Sequence, residues 1–316
     1  MQELTIKIKQ VDHLMNIAGV KHNNIRLLEN HFNVTIVADN EKIVISSENK
    51  EVKRKIEEVL TILLEIAFKG ISITERDIIY LLQLQEADKI ALFQQIYDKN
   101  KILFLAPFGK KIYYKTLTQK YYLEALEKND LVFAVGAAGT GKTYLAVLYA
   151  VKLLKEAKVK KIILTRPAVE AGESLGYLPG DLKEKIDPYL RPLYDALYEF
   201  LGTETVDSYL TKGIIEIAPL AYMRGRTLEN AAIILDEAQN TTNKQMLMFL
   251  SRLGFSSKMI VTGDITQIDL PKGEESGLLK AIRILKDIKG IETIEFQKMD
   301  VVRHPLVQKI LERYEN

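Results

Sequence analysis

Leu131-Val132-Phe133-Ala134-Val135-Gly136-Ala137-Ala138-Gly139-Thr140-Gly141-Lys142-Thr143 decides the reading of this 316-residue chain. Five apolar residues run into Gly-x-x-x-x-Gly-Lys-Thr, and a helix-forming stretch, residues 144–155, follows. A buried strand that turns through glycines into a helix aims successive backbone N–H groups and the positive helix end at one place, where phosphate oxygens bind. Gly136, Ala137, Ala138, Gly139, Thr140 and Gly141 would form that cradle, and Tyr144 opens the helix beside it. Lys142 can reach the β- and γ-phosphates, and the Thr143 hydroxyl can ligate Mg²⁺.

Outward from this loop the chain alternates short apolar strands with helical stretches. Residues 131–135, 161–164, 232–235 and 259–262 read as buried strands of a parallel sheet covered on both faces. A ligand site then belongs at their carboxyl ends. The strand that ends Ile233-Ile234-Leu235 runs into Asp236-Glu237. Asp236 would hold Mg²⁺, directly or through water, and Glu237 would polarise an attacking water. A strand followed by two acids is alone often a helix cap; together with the phosphate loop it points to an ATPase or GTPase. No Asn-Lys-x-Asp guanine signal is present, so ATP is the expected nucleotide.

Two glutamines extend the site. Gln119 lies shortly upstream of the loop, where helicase-like ATPases place an amide that donates and accepts at the adenine edge; an ordinary exposed helix residue is the alternative. Gln267, in Thr262-Gly263-Asp264-Ile265-Thr266-Gln267, follows a buried strand and could touch the γ-phosphate and report hydrolysis, or simply sit in a polar turn.

Thr165-Arg166-Pro167-Ala168-Val169-Glu170, Leu175-Gly176-Tyr177-Leu178-Pro179-Gly180, Asp236-Glu237-Ala238-Gln239-Asn240 and Val302-Arg303-His304-Pro305 together resemble the PhoH-like ATPases over residues 116–311. That family is similar to the motor core of superfamily 1 helicases, and RNA metabolism and phosphate-starvation responses are associated with it. The resemblance implies that Lys142 and Thr143 bind MgATP, that Asp236 and Glu237 form the Walker B pair, that Gln267 is the sensor and that Arg303 is the late-motif arginine. Motors of this type close ATP between two RecA-like domains, and here only one fits. Arg303 therefore folds back on its own nucleotide, comes from a neighbouring subunit, or simply caps the last helix. Donation between subunits favours a homo-oligomer, a hexameric ring being the candidate form.

The segment after the second strand is where helicases touch single-stranded nucleic acid. Arg166 could bridge phosphates, and Tyr177 or Tyr189 could stack on bases or simply pack. Arg224 and Arg226 are either a basic loop facing RNA or a neighbouring nucleotide, or solvated surface residues. The four histidines, His13, His22, His31 and His304, lack metal-ligand spacing.

Toward the N-terminus, residues 4–8 alternate as a half-buried strand, residues 25–31 are helical, and residues 33–38 and 42–46 form two strands around an Asp39-Asn40-Glu41 turn. Residues 51–68 then carry Val52, Ile56, Val59, Leu60, Leu63 and Ile66 on one helical face. In its order of elements this module resembles a KH RNA-binding domain, which clamps nucleotides with a Gly-x-x-Gly loop. Here the stretch is Gly19-Val20-Lys21-His22-Asn23-Asn24, without the second glycine. RNA contact through Lys21, Asn23 and Asn24 and an oligomerisation or docking role are equal alternatives. Residues 71–100 are mostly helical, with Thr74 a candidate N-cap, and residues 101–114 read as a hairpin linking two domains.

Composition bounds the function. The chain is 47% hydrophobic and 27% charged, and its net charge is +2. That is a packed globular protein without the basic excess of one held on nucleic acid by charge alone. Eleven arginines stand against 33 lysines, so an arginine marks a place that needs a planar, bidentate cation. The absence of cysteine fits a reducing compartment. No run of about 18 apolar residues and no secretory start are present, so no membrane is expected and the cytoplasm is the expected location.

The expected fold is α/β, a RecA-like P-loop NTPase domain (residues 116–316) with a small KH-like N-terminal module (residues 1–70) and a helical and hairpin connector (residues 71–115). The expected function is Mg²⁺-dependent ATP hydrolysis coupled to RNA metabolism, as an RNA-stimulated ATPase or helicase acting on single-stranded RNA. The alternative is an ATP-switched adaptor that docks a ribonuclease or ribosome-maturation partner. A small-molecule kinase is the weaker third reading.

Overall fold

A computed structural model describes residues 2–8, 10–39, 42–97, 102–167, 182–271, 273–301 and 305–314, several of them, 182–189 included, by backbone alone. It divides into two compact units. One comprises Met1–Lys101, Tyr114–Leu117 and Val302–Asn316; the other comprises Ile102–Tyr113 and Thr118–Val301.

In the first unit, β1 (Gln2–Lys7), α1 (Val11–Ala18), α2 (Asn23–Phe32), β2 (Thr35–Asp39), β3 (Lys42–Ser47) and α3 (Lys50–Phe68) precede α4 (Glu75–Glu86) and α5 (Ala91–Tyr97). The strands form an antiparallel sheet in the order β1-β3-β2. Asp39 pairs with Lys42 across the β2–β3 turn, whose residues 40–41 lie outside the described set. The apolar face read from α3 is buried from Ile56 to Ile66, with Ile56, Val59, Leu60 and Leu63 inaccessible to solvent, while Val52 is half-buried. Asn49 caps this helix by accepting from the amides of Glu51 and Val52. Thr74 caps α4 in a reciprocal box with Asp77.

The second unit begins with a short hairpin of β4 (Phe104–Leu105) and β5 (Lys111–Ile112). Phe104 lies edge-on to Phe200 at 5.6 Å, and Lys110 pairs with Glu199 at 2.7 Å, which explains why the hairpin groups with this unit. Then come α6 (Leu117–Lys128), β6 (Leu131–Val135), α7 (Lys142–Lys155), β7 (Lys161–Arg166), α8 (Leu182–Leu201), α9 (Thr203–Thr211) and β8 (Ile215–Pro219). They are followed by β9 (Ala231–Leu235), α10 (Asn243–Leu250), β10 (Lys258–Gly263), α11 (Gly277–Ile284) and β11 (Ile291–Glu295). Last in order is α12 (Pro305–Tyr314), which groups with the first unit.

Among the described residues six strands form one parallel sheet, in the order β11-β6-β10-β9-β7-β8. Every residue of β6 and β9 is buried, as a sheet covered on both faces requires. One face packs Phe133, Val135, Ile163, Ile233, Leu235 and Val261 with Met246 and Phe249 of α10 and Leu278 of α11. Register sets the height of the site. Val135 is level with Gly263, and Leu235 is level with both Val261 and Thr165. The residues that leave these four strands therefore emerge side by side. No helix among the described residues is long and apolar enough to cross a membrane.

Candidate functional site

Gly136, Gly139 and Gly141 all have positive φ, at 143°, 85° and 86°, which lets the loop after β6 curl before α7 begins. At Gly136 a side chain is excluded twice, by φ and by the Phe296 carbonyl oxygen, which an added Cβ would meet at 2.6 Å. The Lys142 ammonium is folded against the loop and donates to the carbonyls of Gly136 and Ala137 at 2.6 and 2.8 Å. Thr140, fully buried, donates its hydroxyl to Ala137 O at 3.0 Å and tightens the curl.

The Thr143 hydroxyl donates to Asp236 Oδ1 at 2.6 Å. A third group meets them, because the Thr262 hydroxyl donates to the same oxygen at 2.6 Å. Asp236 is 5% exposed, and the cluster consists of hard oxygen donors from two hydroxyls and one carboxylate. This donor set fits Mg²⁺, which commonly rests on one or two protein oxygens together with substrate phosphates. Thr143 and Asp236 are the residues that would hold it. Bound there, the ion would neutralise charge on the phosphates.

Glu237 follows at φ 52°, a left-handed conformation uncommon outside glycine and asparagine. Both of its oxygens are engaged. Arg166 Nη2 lies 3.0 Å from Oε1, and Gln239 Nε2 donates to Oε2 at 2.6 Å. Gln239, 1% exposed, also accepts from the Asp264 amide at 3.0 Å. It thus ties the Asp236-Glu237 segment to the end of β10. The Asp264 carboxylate in turn accepts from the Ala138 amide of the phosphate loop at 2.9 Å, and from the amide and hydroxyl of Thr266. Asn240 accepts from the Asp269 amide at 2.8 Å. These bonds fix the turn that carries Gln267.

A cleft of about 250 Å³ is lined by residues of the loop from Ala138 to Tyr144 and by Asp236, Glu237, Asp264 and Gln267. The structure thus brings together Lys142, Thr143, Asp236, Glu237 and the exposed Gln267. Gln119 lies under the same loop, 9% exposed, with its amide donating to Thr140 O at 3.0 Å. Tyr144 borders the cleft while its hydroxyl donates to Glu199 at 2.8 Å and its ring packs 4.8 Å from Phe200. Arg226 is held by Glu216 in a two-toothed pair at 2.5 and 2.7 Å, whereas Arg224 is exposed. Arg303, Tyr177 and the side chain of Tyr189 lie outside the described residues.

Thr262, Asp264, Gln239 and the Arg166–Glu237 pair do not stand out as site partners in the sequence. A signal for the first two exists. Thr262 follows the buried apolar run of residues 259–261 near the end of β10, and Asp264 comes just after that strand, where ligands gather.

Residues 111–315 match the family described as PhoH-like protein. A PhoH-like protein of Bacillus subtilis (strain 168) is 53% identical over 309 residues, 98% of this chain and 96% of that one. A PhoH-like protein of Mycobacterium tuberculosis (strain ATCC 25618 / H37Rv) is 47% identical over 308 residues, 96% of this chain and 85% of that one. Among solved structures, the large terminase from a thermophilic bacteriophage aligns at 11% identity with a TM-score of 0.39, over 63% of this chain and 49% of its own. That last likeness is too loose to bear on function.

Proposed function

From the premise that this chain belongs to the family of PhoH-like proteins, with a P-loop nucleotide hydrolase site built on its parallel sheet, we propose that it hydrolyses ATP with Mg²⁺ and couples hydrolysis to single-stranded RNA. The observation that carries the hydrolytic part is the convergence of Lys142, the Thr143–Asp236 pair and Glu237 on one cleft. Catalysis in such a site is positioning and electrostatics: the loop amides and Lys142 hold the phosphates, and Glu237 orients water. For Lys142 to reach a phosphate its ammonium leaves the Gly136 and Ala137 carbonyls, and a phosphate oxygen replaces them as acceptor.

Support for RNA comes from the family resemblance and from two local features. Arg166 ends β7 beside the site, with its guanidinium 3.0 Å from Glu237. In the N-terminal unit the elements follow a β-α-α-β-β-α order, and the α1–α2 loop exposes Lys21 and His22. Both residues have positive φ, 52° and 60°, so His22 takes a conformation usually left to glycine. In this reading Arg303 supplies the finger that is typically worth ~10³–10⁵ in rate. Donation between copies would make a homo-oligomer, a ring of six, the active form in the cytoplasm. In the alternative reading, a nucleotide-switched adaptor, the docked partner would be a ribonuclease or ribosome-maturation factor.

Steady-state ATP hydrolysis with and without single-stranded RNA, with Lys142→Ala as the blank, tests the proposal. Severalfold stimulation is expected. Hydrolysis indifferent to RNA would overturn the coupling and favour the nucleotide-switched adaptor.

A further inference from the structure

The acid expected to polarise water is held by an arginine. Thr165 and Leu235 are level across β7 and β9, so Arg166 and Glu237 leave the sheet as neighbours, and Arg166 Nη2 lies 3.0 Å from Glu237 Oε1. The Arg166 side chain is 12% exposed and that of Glu237 33%, so the arginine is mostly covered and the pair meets solvent and the cleft chiefly on the Glu237 side. Gln239 occupies the other carboxylate oxygen. A carboxylate acts on water through an oxygen that can accept its proton. Each oxygen keeps a second acceptor site, but the guanidinium on one and the amide on the other hold the carboxylate in a fixed direction, and that restrains Glu237 from turning toward water. Its left-handed backbone, φ 52° and ψ 38°, is a conformation that persists where surrounding contacts over-determine it, and these two tethers do so.

Arginine binds a phosphodiester with the same planar fork that it offers a carboxylate. We propose that Arg166 is a positioning residue that restrains Glu237 until the backbone of single-stranded RNA takes over its guanidinium. The exchange releases one oxygen of Glu237 for water and makes hydrolysis respond to RNA. This inference rests on the RNA-stimulated reading above and names the contact through which stimulation acts. The alternative role, an arginine that holds Glu237 in its working position, makes the opposite prediction.

The test is a titration of hydrolysis by poly(U) at saturating MgATP, on the full chain, for the native protein, Arg166→Ala and Arg166→Lys. The native arm stands first: without stimulation by poly(U), the RNA-coupled reading fails before any variant is considered, and this inference falls with it. Given native stimulation, Arg166→Ala should hydrolyse ATP severalfold faster than native without RNA, and its stimulation ratio should fall toward one. Arg166→Lys, which keeps one cation but loses the fork, should lie between the two. An Arg166→Ala rate at or below native without RNA, with the native ratio retained or with both lost, overturns the inference. If thermal melting shows Arg166→Ala to be poorly folded, Arg166→Lys decides: a raised RNA-free rate supports the restraint and an unchanged or lowered one refutes it.

Discussion

The Thr262 hydroxyl donates to Asp236 Oδ1 at 2.6 Å, on the same oxygen that receives Thr143. Neither group lies near the other in sequence; the pairing of β10 with β9 brings them together. Thr262 thus fixes the orientation of the carboxylate expected to meet the metal ion.

Thr262→Val keeps the volume and removes the donor. A hydrogen bond to a charged group is worth roughly 1.5–3 kcal/mol, so the Mg²⁺ concentration for half-maximal hydrolysis should rise about tenfold or more. Hydrolysis measured against Mg²⁺ checks this. An unchanged midpoint would mean that Asp236 is oriented without Thr262.

Gly263→Ala should cost stability by crowding. An added Cβ would stand 2.5 Å from Leu278 Cδ2 and 2.9 Å from Gln239 Oε1, in a place where Leu278 is fully buried. Overpacking of this kind costs about 1–3 kcal/mol. A melting temperature lowered by several degrees is the expected result. A melting curve that overlays the native one would contradict it.

Tyr149 gives a pH signature. Its hydroxyl donates to Leu126 O at 2.9 Å, and burial, with Glu127 and Glu156 nearby, pushes its pKa up to about 12 from the ordinary 10.0. The folded state thus keeps a proton that the unfolded chain releases first. The associated stability is complete below pH 10 and is lost as pH rises toward about 12. Unfolding free energies measured across that window should fall less steeply in Tyr149→Phe. Burial and Asp236 also raise Tyr122, so part of the decline should remain. Equal slopes in the two proteins would show that Tyr149 contributes nothing to it.

The four central strands are legible in the sequence because each is a short apolar run buried on both faces, and β6 matches its expected span to the residue. The edge strands β8 and β11 are not. Ile-Glu-Ile-Ala-Pro and Ile-Glu-Thr-Ile-Glu carry acids because an edge is partly open to water, and neither stands out as a buried run. Helix α1 escapes for a different reason: it has eight residues, and Gln10 gives it no side-chain cap. Local spacing reveals the phosphate loop and the Asp236-Glu237 pair, since adjacent residues carry both. The contacts that tune them span long stretches of chain, from Ala138 to Asp264 and from Arg166 to Glu237. Arg166 reads as a phosphate contact because nothing in its neighbourhood announces an acid that arrives from another strand.

Glu237→Gln tests the central claim most directly. The amide retains the shape of the side chain and its bond with Gln239 can be rebuilt, but it cannot take a proton from water. ATP binding, followed with a fluorescent ATP analogue, should stay within a few fold of native, while steady-state phosphate release should fall by about 10²–10⁴. Native turnover in this variant would contradict the account, because hydrolysis would then proceed without the carboxylate around which the whole site is arranged.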